Sequence, residues 1–310
     1  MGRVILHVGT HKTGTTYLQQ NVFPKLPGIK DATGHFPELW RMLGLLSDEN
    51  PIFLDVGRIA DLCRTIVQPY PIFLISWERF SGDPYRCFFN NGTTAENLGA
   101  IFPEADLIFV FRRQDNWAES LYRHTIRRGF SVSPKKFIGY RPDGTFDRNL
   151  ISRNYTVPTL DVASLDWSTY VENYERVFNR CLFLPYEDFA MEKEGFVKKI
   201  TDFLDVTAAE SLRDVRSNEG YSDVSLFFAR IINLLNLGRV SDSLAGRVLK
   251  RLNRVVSRDR FLTGVVNRAF PARSASLPED AMRRILDMHR EGNRRLDERL
   301  GLGLERHGYY

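Results

Sequence analysis

The residues with the most evident chemistry are Gly9-Thr10-His11-Lys12-Thr13-Gly14-Thr15-Thr16. They follow an apolar run at 4–8 and precede Tyr17-Leu18-Gln19-Gln20, which reads as the opening of a helix. A glycine-bearing loop between a strand and a helix start suits an anion. Backbone N–H groups converge there, the helix end adds partial positive charge, and glycines admit close approach. The hydroxyls of Thr13, Thr15 and Thr16 add donors, and Lys12 adds a full charge. His11, Lys12, Thr13, Gly14, Thr15 and Thr16 are therefore the candidate phosphate-binding residues. The place of the lysine narrows the chemistry. A nucleoside triphosphatase loop needs Gly-x4-Gly-Lys-Ser/Thr. Gly9 and Gly14 keep that spacing, but Thr15 follows Gly14, and Lys12 stands two residues before it. The apolar run at 107–111 ends in Arg112-Arg113, the wrong sign for a magnesium ligand. No Gly-x-Gly-x-x-Gly follows a strand, which argues against a dinucleotide fold. His7 and His11 are four apart on a strand and a loop, so they do not form a helical metal pair, and no metal is expected.

These residues need a scaffold. Apolar runs at 4–8, 72–75, 107–111 and 181–184 read as short buried strands. Helical patterns lie at 116–128, 167–178 and 196–204. Strands alternating with helices indicate an α/β domain with a mainly parallel sheet covered on both faces. The expected architecture is a three-layer P-loop-like fold of one domain, 1–310, with a mostly helical subregion at 222–300. A break is expected at 271–278, and residues 131–160 read as a long loop or excursion of the kind that carries specificity. Trp117 and Trp167, at the starts of helices, read as core.

Within this scaffold, the motif His7-x-Gly9-x-x-Lys12-Thr13-Gly14-Thr15-Thr16 resembles the 5′-phosphosulfate loop of sulfotransferases that use 3′-phosphoadenosine 5′-phosphosulfate (PAPS). Phe111-Arg112-Arg113-Gln114-Asp115-Asn116-Trp117-Ala118-Glu119-Ser120 resembles the family's 3′-phosphate segment, with Arg112 and Ser120 eight positions apart. Leu184-Pro185-Tyr186-Glu187-Asp188-Phe189 is similar to its Tyr-Glu-Asp segment, and Arg216–Ser222 loosely resembles a later cofactor-proximal loop. The resemblance, nearest to bacterial carbohydrate-type members, implies sulfuryl transfer from PAPS to a hydroxyl of a carbohydrate or glycolipid. It places Lys12 at the leaving oxygen, Arg112 and Ser120 on the 3′-phosphate, and Tyr186 against adenine. It also calls for a base, often Glu or His. Glu78, in Ile75-Ser76-Trp77-Glu78-Arg79 directly after a strand, leads; His35 in Thr33-Gly34-His35-Phe36-Pro37 is the rival and Glu38 a third choice. Arg113 is left as structural or substrate-facing. Glu187 and Asp188 are expected to cap a helix beginning near Glu192.

Composition bounds the alternatives. The chain has 310 residues, 43% hydrophobic, with a net charge of +5. Ordinary apolar content with mixed charge excludes a disordered chain. Residues 239–273 hold nine basic side chains against Asp242 and Asp259, so this stretch is +7 and the remainder −2. A helical spacing of Leu244, Val248, Leu249, Leu252, Val255 and Val256 sets Arg247, Lys250, Arg251, Arg254 and Arg258 on the opposite face. That face suits an acidic or lipid-linked acceptor at an anionic membrane; nucleic acid is not expected. Scattered Cys63, Cys87 and Cys181, with no signal-like start and no apolar run of spanning length, predict a reducing, cytoplasmic setting, with peripheral membrane contact the alternative. Sequons at Asn91 and Asn154 are read as chance. The rival functions are a P-loop nucleotide kinase or ATPase, and a non-catalytic polyanion-binding protein.

Overall fold

Four apolar runs become strands because both faces of the sheet are covered, which removes the alternation of a half-exposed strand. In the computed structural model they are β1 (Arg3–Gly9), β3 (Ile72–Ser76), β4 (Asp106–Phe111) and β5 (Arg180–Pro185). A two-residue strand, β2 (Lys30–Asp31), completes a five-stranded sheet of order β2-β3-β1-β4-β5. Every pairing is parallel. The structure describes residues 2–49, 51–148, 158–207, 226, 229, 233 and 277–310.

The chain forms two compact units. One comprises residues 1–114, 164–217 and 286–310, and the other residues 115–163 and 218–285. The first holds the sheet. On one face, Ile5, Leu74, Ile108, Val110 and Leu184 form a buried core with Leu18, Val22, Phe23, Phe189, Phe196 and Ile200. These partners come from α1 (Thr15–Tyr17) with the wide π-turn Leu18–Val22 after it, from α8 (Tyr186–Met191) and from α9 (Lys193–Leu204). The alternate residues point to the other face. There Phe109 meets Tyr174 at 5.2 Å and Phe111 lies 6.4 Å from Trp167, ring centre to ring centre. Helices α2 (Pro37–Asp48), α3 (Val56–Val67), α4 (Asn91–Ile101) and α7 (Trp167–Glu175) pack against one another beside them.

Two buried polar side chains brace this unit. Asp106 accepts from Arg3 Nε at 2.6 Å and from Arg180 Nη1 at 2.9 Å, which ties β1, β4 and β5 at their amino ends. At the start of α4, Asn91 is buried and donates to the Ser81 carbonyl and the Tyr174 hydroxyl at 3.0 and 3.1 Å. Its amide is thus committed to the core, which fits the reading of its sequon as chance.

In the second unit, most of α5 (Gln114–Arg127) is joined by α6 (Pro134–Phe137) and by the first residues of α10 (Glu279–Leu300). Residues 131–148 contain α6 and a turn closed by a Tyr140–Phe146 bridge, so this part of the expected excursion is structured. Tyr122 donates to the Val132 carbonyl at 3.1 Å, and Asn233 donates to the carbonyls of Ile126 and Phe130. Of the expected helical region at 222–300, the described stretch is chiefly α10. The basic 239–273 stretch and the 216–222 loop lie outside the described residues. Among the described residues no helix is long and apolar enough to cross a membrane.

Candidate active site

The strand order fixes where a ligand crevice can lie. The chain passes from β1 to the edge strand β2, returns to β3 beside β1, then crosses to β4 and β5 on the other side, so the direction changes between β1 and β4. In open α/β sheets ligands bind outside the carboxyl ends of the strands at that reversal. Residues 9–16 follow β1, and Arg112 follows β4.

The loop backbone is shaped for convergence. Lys12 sits at φ 71° and Gly14 at φ 80°, both left-handed. A left-handed lysine is uncommon and costs on the order of 1–3 kcal/mol, which is typical of residues held in ligand clamps. Alternation between right- and left-handed residues turns successive N–H groups into one concavity. Two contacts pin the loop. Thr10 N donates to the Val110 carbonyl at 2.9 Å, and the Thr13 hydroxyl donates to the Thr10 carbonyl at 2.5 Å. Close packing explains Gly9, and backbone conformation Gly14. A Cβ on Gly9 would lie 2.6 Å from Thr15 Oγ1, whereas one on Gly14 would only touch the rings of Tyr186 and Phe189 at 3.4 Å, and there the φ of 80° favours glycine.

Among the described residues, the polar atoms buried without a hydrogen-bond partner include Thr15 Oγ1 and Arg112 Nε. Buried donors are normally satisfied, so such atoms need an explanation. A bound anionic ligand would satisfy them. Arg112 also reaches the loop directly. Its Nη1 donates to the Lys12 carbonyl at 3.3 Å, and its guanidinium lies 4.8 Å from the centre of the Tyr186 ring. Lys12, Gly14, Arg112 and Tyr186, read from separate segments, thus meet at one place. His11, Lys12 and Tyr186 are half-buried, Thr13 and Thr15 are buried, and Thr16 is exposed. Ser120 is half-buried on α5, within the second unit.

The three candidate bases differ in setting. Glu78 opens the short turn Glu78–Ser81 immediately after β3, at the same sheet edge as the loop. Its neighbour Trp77 donates from N to the His7 carbonyl at 3.1 Å, which ties that turn to β1. The Glu78 carbonyl accepts from Ser81 Oγ at 2.7 Å. His35 is exposed between β2 and α2, and Glu38 is exposed and faces Arg41 at 3.6 Å.

A cluster beneath the loop was not read from the sequence. His7 Nδ1 is 2.7 Å from Ser76 Oγ, and Gln19 Nε2 donates to Ser76 O and Oγ at 3.0 and 3.1 Å. It links β1, β3 and the π-turn after α1. Burial lowers the His7 pKa to about 3, so the imidazole is neutral there. The only local hint was a polar residue in each of two otherwise apolar runs.

Glu187 and Asp188 correct an expectation. The helix α9 is capped by Glu192 alone, which accepts from Gly195 N at 2.9 Å. Glu187 and Asp188 lie a helix earlier, inside α8, and their carboxylates are used over long range. Asp188 accepts from Lys199 and Arg306 at 2.6 Å each and lies 2.7 Å from His307 Nε2. Burial works to raise its pKa, but the bonds from Lys199, His307 and Arg306 outweigh it, and the net shift is downward. We expect Asp188→Asn to cost about 2–3 kcal/mol in urea unfolding at neutral pH. That is less than the roughly 3–5 for a fully buried pair, because the two cations are half-exposed. A depressed carboxylate stabilises above its unfolded pKa and loses that contribution as pH falls through its folded one. The gap between wild type and variant should therefore close in strong acid. A gap unchanged by acid would mean that packing, not charge, carries the effect.

Arg113, expected to be structural or substrate-facing, donates from Nη1 to the His307 carbonyl at 3.0 Å. Among the described residues no group of three or more His, Cys, Asp and Glu side chains is placed to hold a metal.

No family model matches the chain, and no curated protein matches it. Solved structures are similar to it, among them the following three. A sulfotransferase from Alicyclobacillus acidocaldarius is 16% identical over 80% of this chain and 99% of its own, with a TM-score of 0.47. The sulfotransferase domain of the Synechococcus PCC 7002 olefin synthase is 17% identical over 70% and 78%, with a TM-score of 0.38. Mouse sulfotransferase SULT7A1 complexed with PAP is 18% identical over 82% and 89%, with a TM-score of 0.34. At these identities and scores, function must be read from the residues of the site.

Proposed function

We propose that the chain is a sulfotransferase that moves the sulfuryl group of PAPS to a hydroxyl of a carbohydrate or glycolipid. The observation that carries this is the loop at 9–16. It combines a converging backbone, a buried Thr15 hydroxyl without a partner, and a lysine placed before the second glycine instead of after it.

The donor supplies an activated sulfur; the protein supplies position and charge. In the transfer, an acceptor oxygen–sulfur bond forms, the bond from sulfur to the 5′-phosphate oxygen breaks, and the acceptor proton passes to a base. Lys12 neutralises charge growing on the leaving phosphate, where stabilisation raises turnover and not merely binding. The loop amides with Thr13, Thr15 and Thr16 hold that phosphate. Arg112 takes the 3′-phosphate, a role that the resemblance alone extends to Ser120, and Tyr186 bounds the adenine. Glu78, at the shared sheet edge, is the base preferred over His35 and Glu38. The basic stretch at 239–273 is reserved for the acceptor or an anionic surface.

Radiolabelled PAPS offered with fractionated glycan, glycolipid and small-molecule pools tests the reading. Label should pass to a glycan or glycolipid, with release of 3′,5′-adenosine bisphosphate (PAP) and no added metal. Magnesium-dependent ATP turnover with no use of PAPS would overturn it. Glu78→Gln should lower kcat about a hundredfold and remove the acidic limb of the pH–rate profile. The effect is placed at the low end for acid–base groups because a loose transition state asks little of the nucleophile. An active Glu78→Gln with an unchanged profile would pass the role to His35.

A further inference from the structure

The turn bearing Arg112 is held by a segment more than 170 residues away in sequence, and the hold is electrical as well as mechanical. Each residue from Phe111 to Gln114 is anchored. The Phe111 ring meets the edge of Tyr309 at 6.0 Å. The Arg112 carbonyl accepts from Trp167 Nε1 at 2.7 Å. Arg113 N donates to Glu187 Oε1 at 3.1 Å, and its guanidinium donates to the His307 carbonyl. Gln114 exchanges two hydrogen bonds with Asn293, at 2.7 and 3.1 Å, and Asn293 also donates to the Tyr309 carbonyl.

Glu187 is the unusual member. It follows Tyr186, whose ring lies beneath the Arg112 guanidinium, and its carboxylate accepts from the backbone N of the residue after Arg112. A free carboxylate there would compete with a phosphate dianion for Arg112. In the structure both of its oxygens are engaged: Oε1 by Arg113 N, and Oε2 by the hydroxyl of fully buried Tyr309 at 2.7 Å. Burial, followed by the nearby Glu187, raises the Tyr309 pKa well above its usual value, so the phenol stays a donor.

We infer that Tyr309 is a positioning residue of the donor site, whose hydroxyl holds the Glu187 carboxylate away from Arg112 and keeps that guanidinium available for a phosphate. This rests on the donor reading above. A hydrogen bond to a charged group is strong enough to be read as a change in affinity.

The test uses the full chain, with PAP titrated calorimetrically and PAPS kinetics measured beside it. Tyr309→Phe should raise the Kd for PAP and the KM for PAPS roughly tenfold, with kcat nearly unchanged. Glu187→Gln should move either by less than about threefold, since the amide oxygen still accepts from Arg113 N. Adding Glu187→Gln to Tyr309→Phe should restore binding close to wild type, because the competing charge is gone. A merely structural tyrosine would not be rescued in this way. Glu187→Asp, which keeps the charge but withdraws it from both donors, should mimic Tyr309→Phe and serves if that variant does not fold. Unchanged PAP affinity in Tyr309→Phe, or a double variant as weak as the single, overturns the inference while wild-type binding of PAP leaves the donor reading standing. A wild-type chain that binds neither PAP nor PAPS overturns both.

Discussion

Lys12→Ala should lower kcat by about two to three orders of magnitude while weakening PAP binding by less than about tenfold. The size is that of a single well-placed electrostatic donor removed from a site of developing charge. The asymmetry follows from what the lysine faces. PAP already carries its phosphates as charged groups, and the loop amides with Thr13, Thr15 and Thr16 would hold them without the ammonium. The growing charge on the leaving oxygen exists only in the transition state, so its loss appears in kcat. The backbone should survive the change. The Lys12 carbonyl is held by Arg112, and Thr10 and Thr13 brace the loop through bonds that do not involve the lysine side chain. Alanine and lysine meet the same cost at φ 71°, since both carry a Cβ. Measured single-turnover rates with bound PAPS, set beside PAP titration, separate the outcomes. An equal loss in both would make Lys12 a ground-state anchor and remove it from the chemical step.

What could be read beforehand follows a physical line between local and long-range information. Strands β1, β3, β4 and β5 were legible because burial on both faces writes itself as an unbroken apolar run. β2 was not, since Lys30-Asp31 is two polar residues that pair only because β3 presents an edge. Helix α4 was missed for a similar reason. It opens with Asn91-Gly92, which locally favours a turn. The tertiary bonds of the buried Asn91 to Ser81 and Tyr174 override that preference. The α2 and α3 helices have amphipathic spacing that went unread beside the stronger strand signals, although Asp55 caps α3 by accepting from Arg58 N at 2.9 Å.

The site divides in the same way. The loop at 9–16 carries its geometry in its own spacing, and the structure supplies the left-handed Lys12 and the buried Thr15 hydroxyl that such spacing implies. The convergence of Arg112 and Tyr186 on it depends on β4 and β5 lying beside β1 in order, which parallel pairing alone does not reveal. Glu187 and Asp188 show the limit most sharply. Two acids before a helix suggest caps from local rules. Their partners Arg306, His307 and Tyr309 lie 118 to 122 positions away, and no local pattern points to them.

Arg112→Ala should erase the preference for PAPS over its 3′-dephospho analogue, with kcat/KM for PAPS falling about a hundredfold to a thousandfold. The scale is that of truncating one partner of a desolvated, hydrogen-bonded charge pair. Arg112 is suited to the task by geometry. It offers a planar fork of donors, it lies over the Tyr186 ring at 4.8 Å, and its buried Nε has no acceptor until a ligand provides one. The side chain also donates to the Lys12 carbonyl, so truncation should loosen the loop somewhat for any donor. That structural part affects the two donors alike and cancels in their ratio. The ratio is therefore the diagnostic quantity, and absolute activity is not. Arg112→Lys should recover part of the affinity through charge but not the selectivity, because an ammonium cannot reproduce the two parallel bonds of the guanidinium. If the alanine variant still prefers PAPS, the 3′-phosphate is held elsewhere, and Arg112 is a brace between the loop and Tyr186.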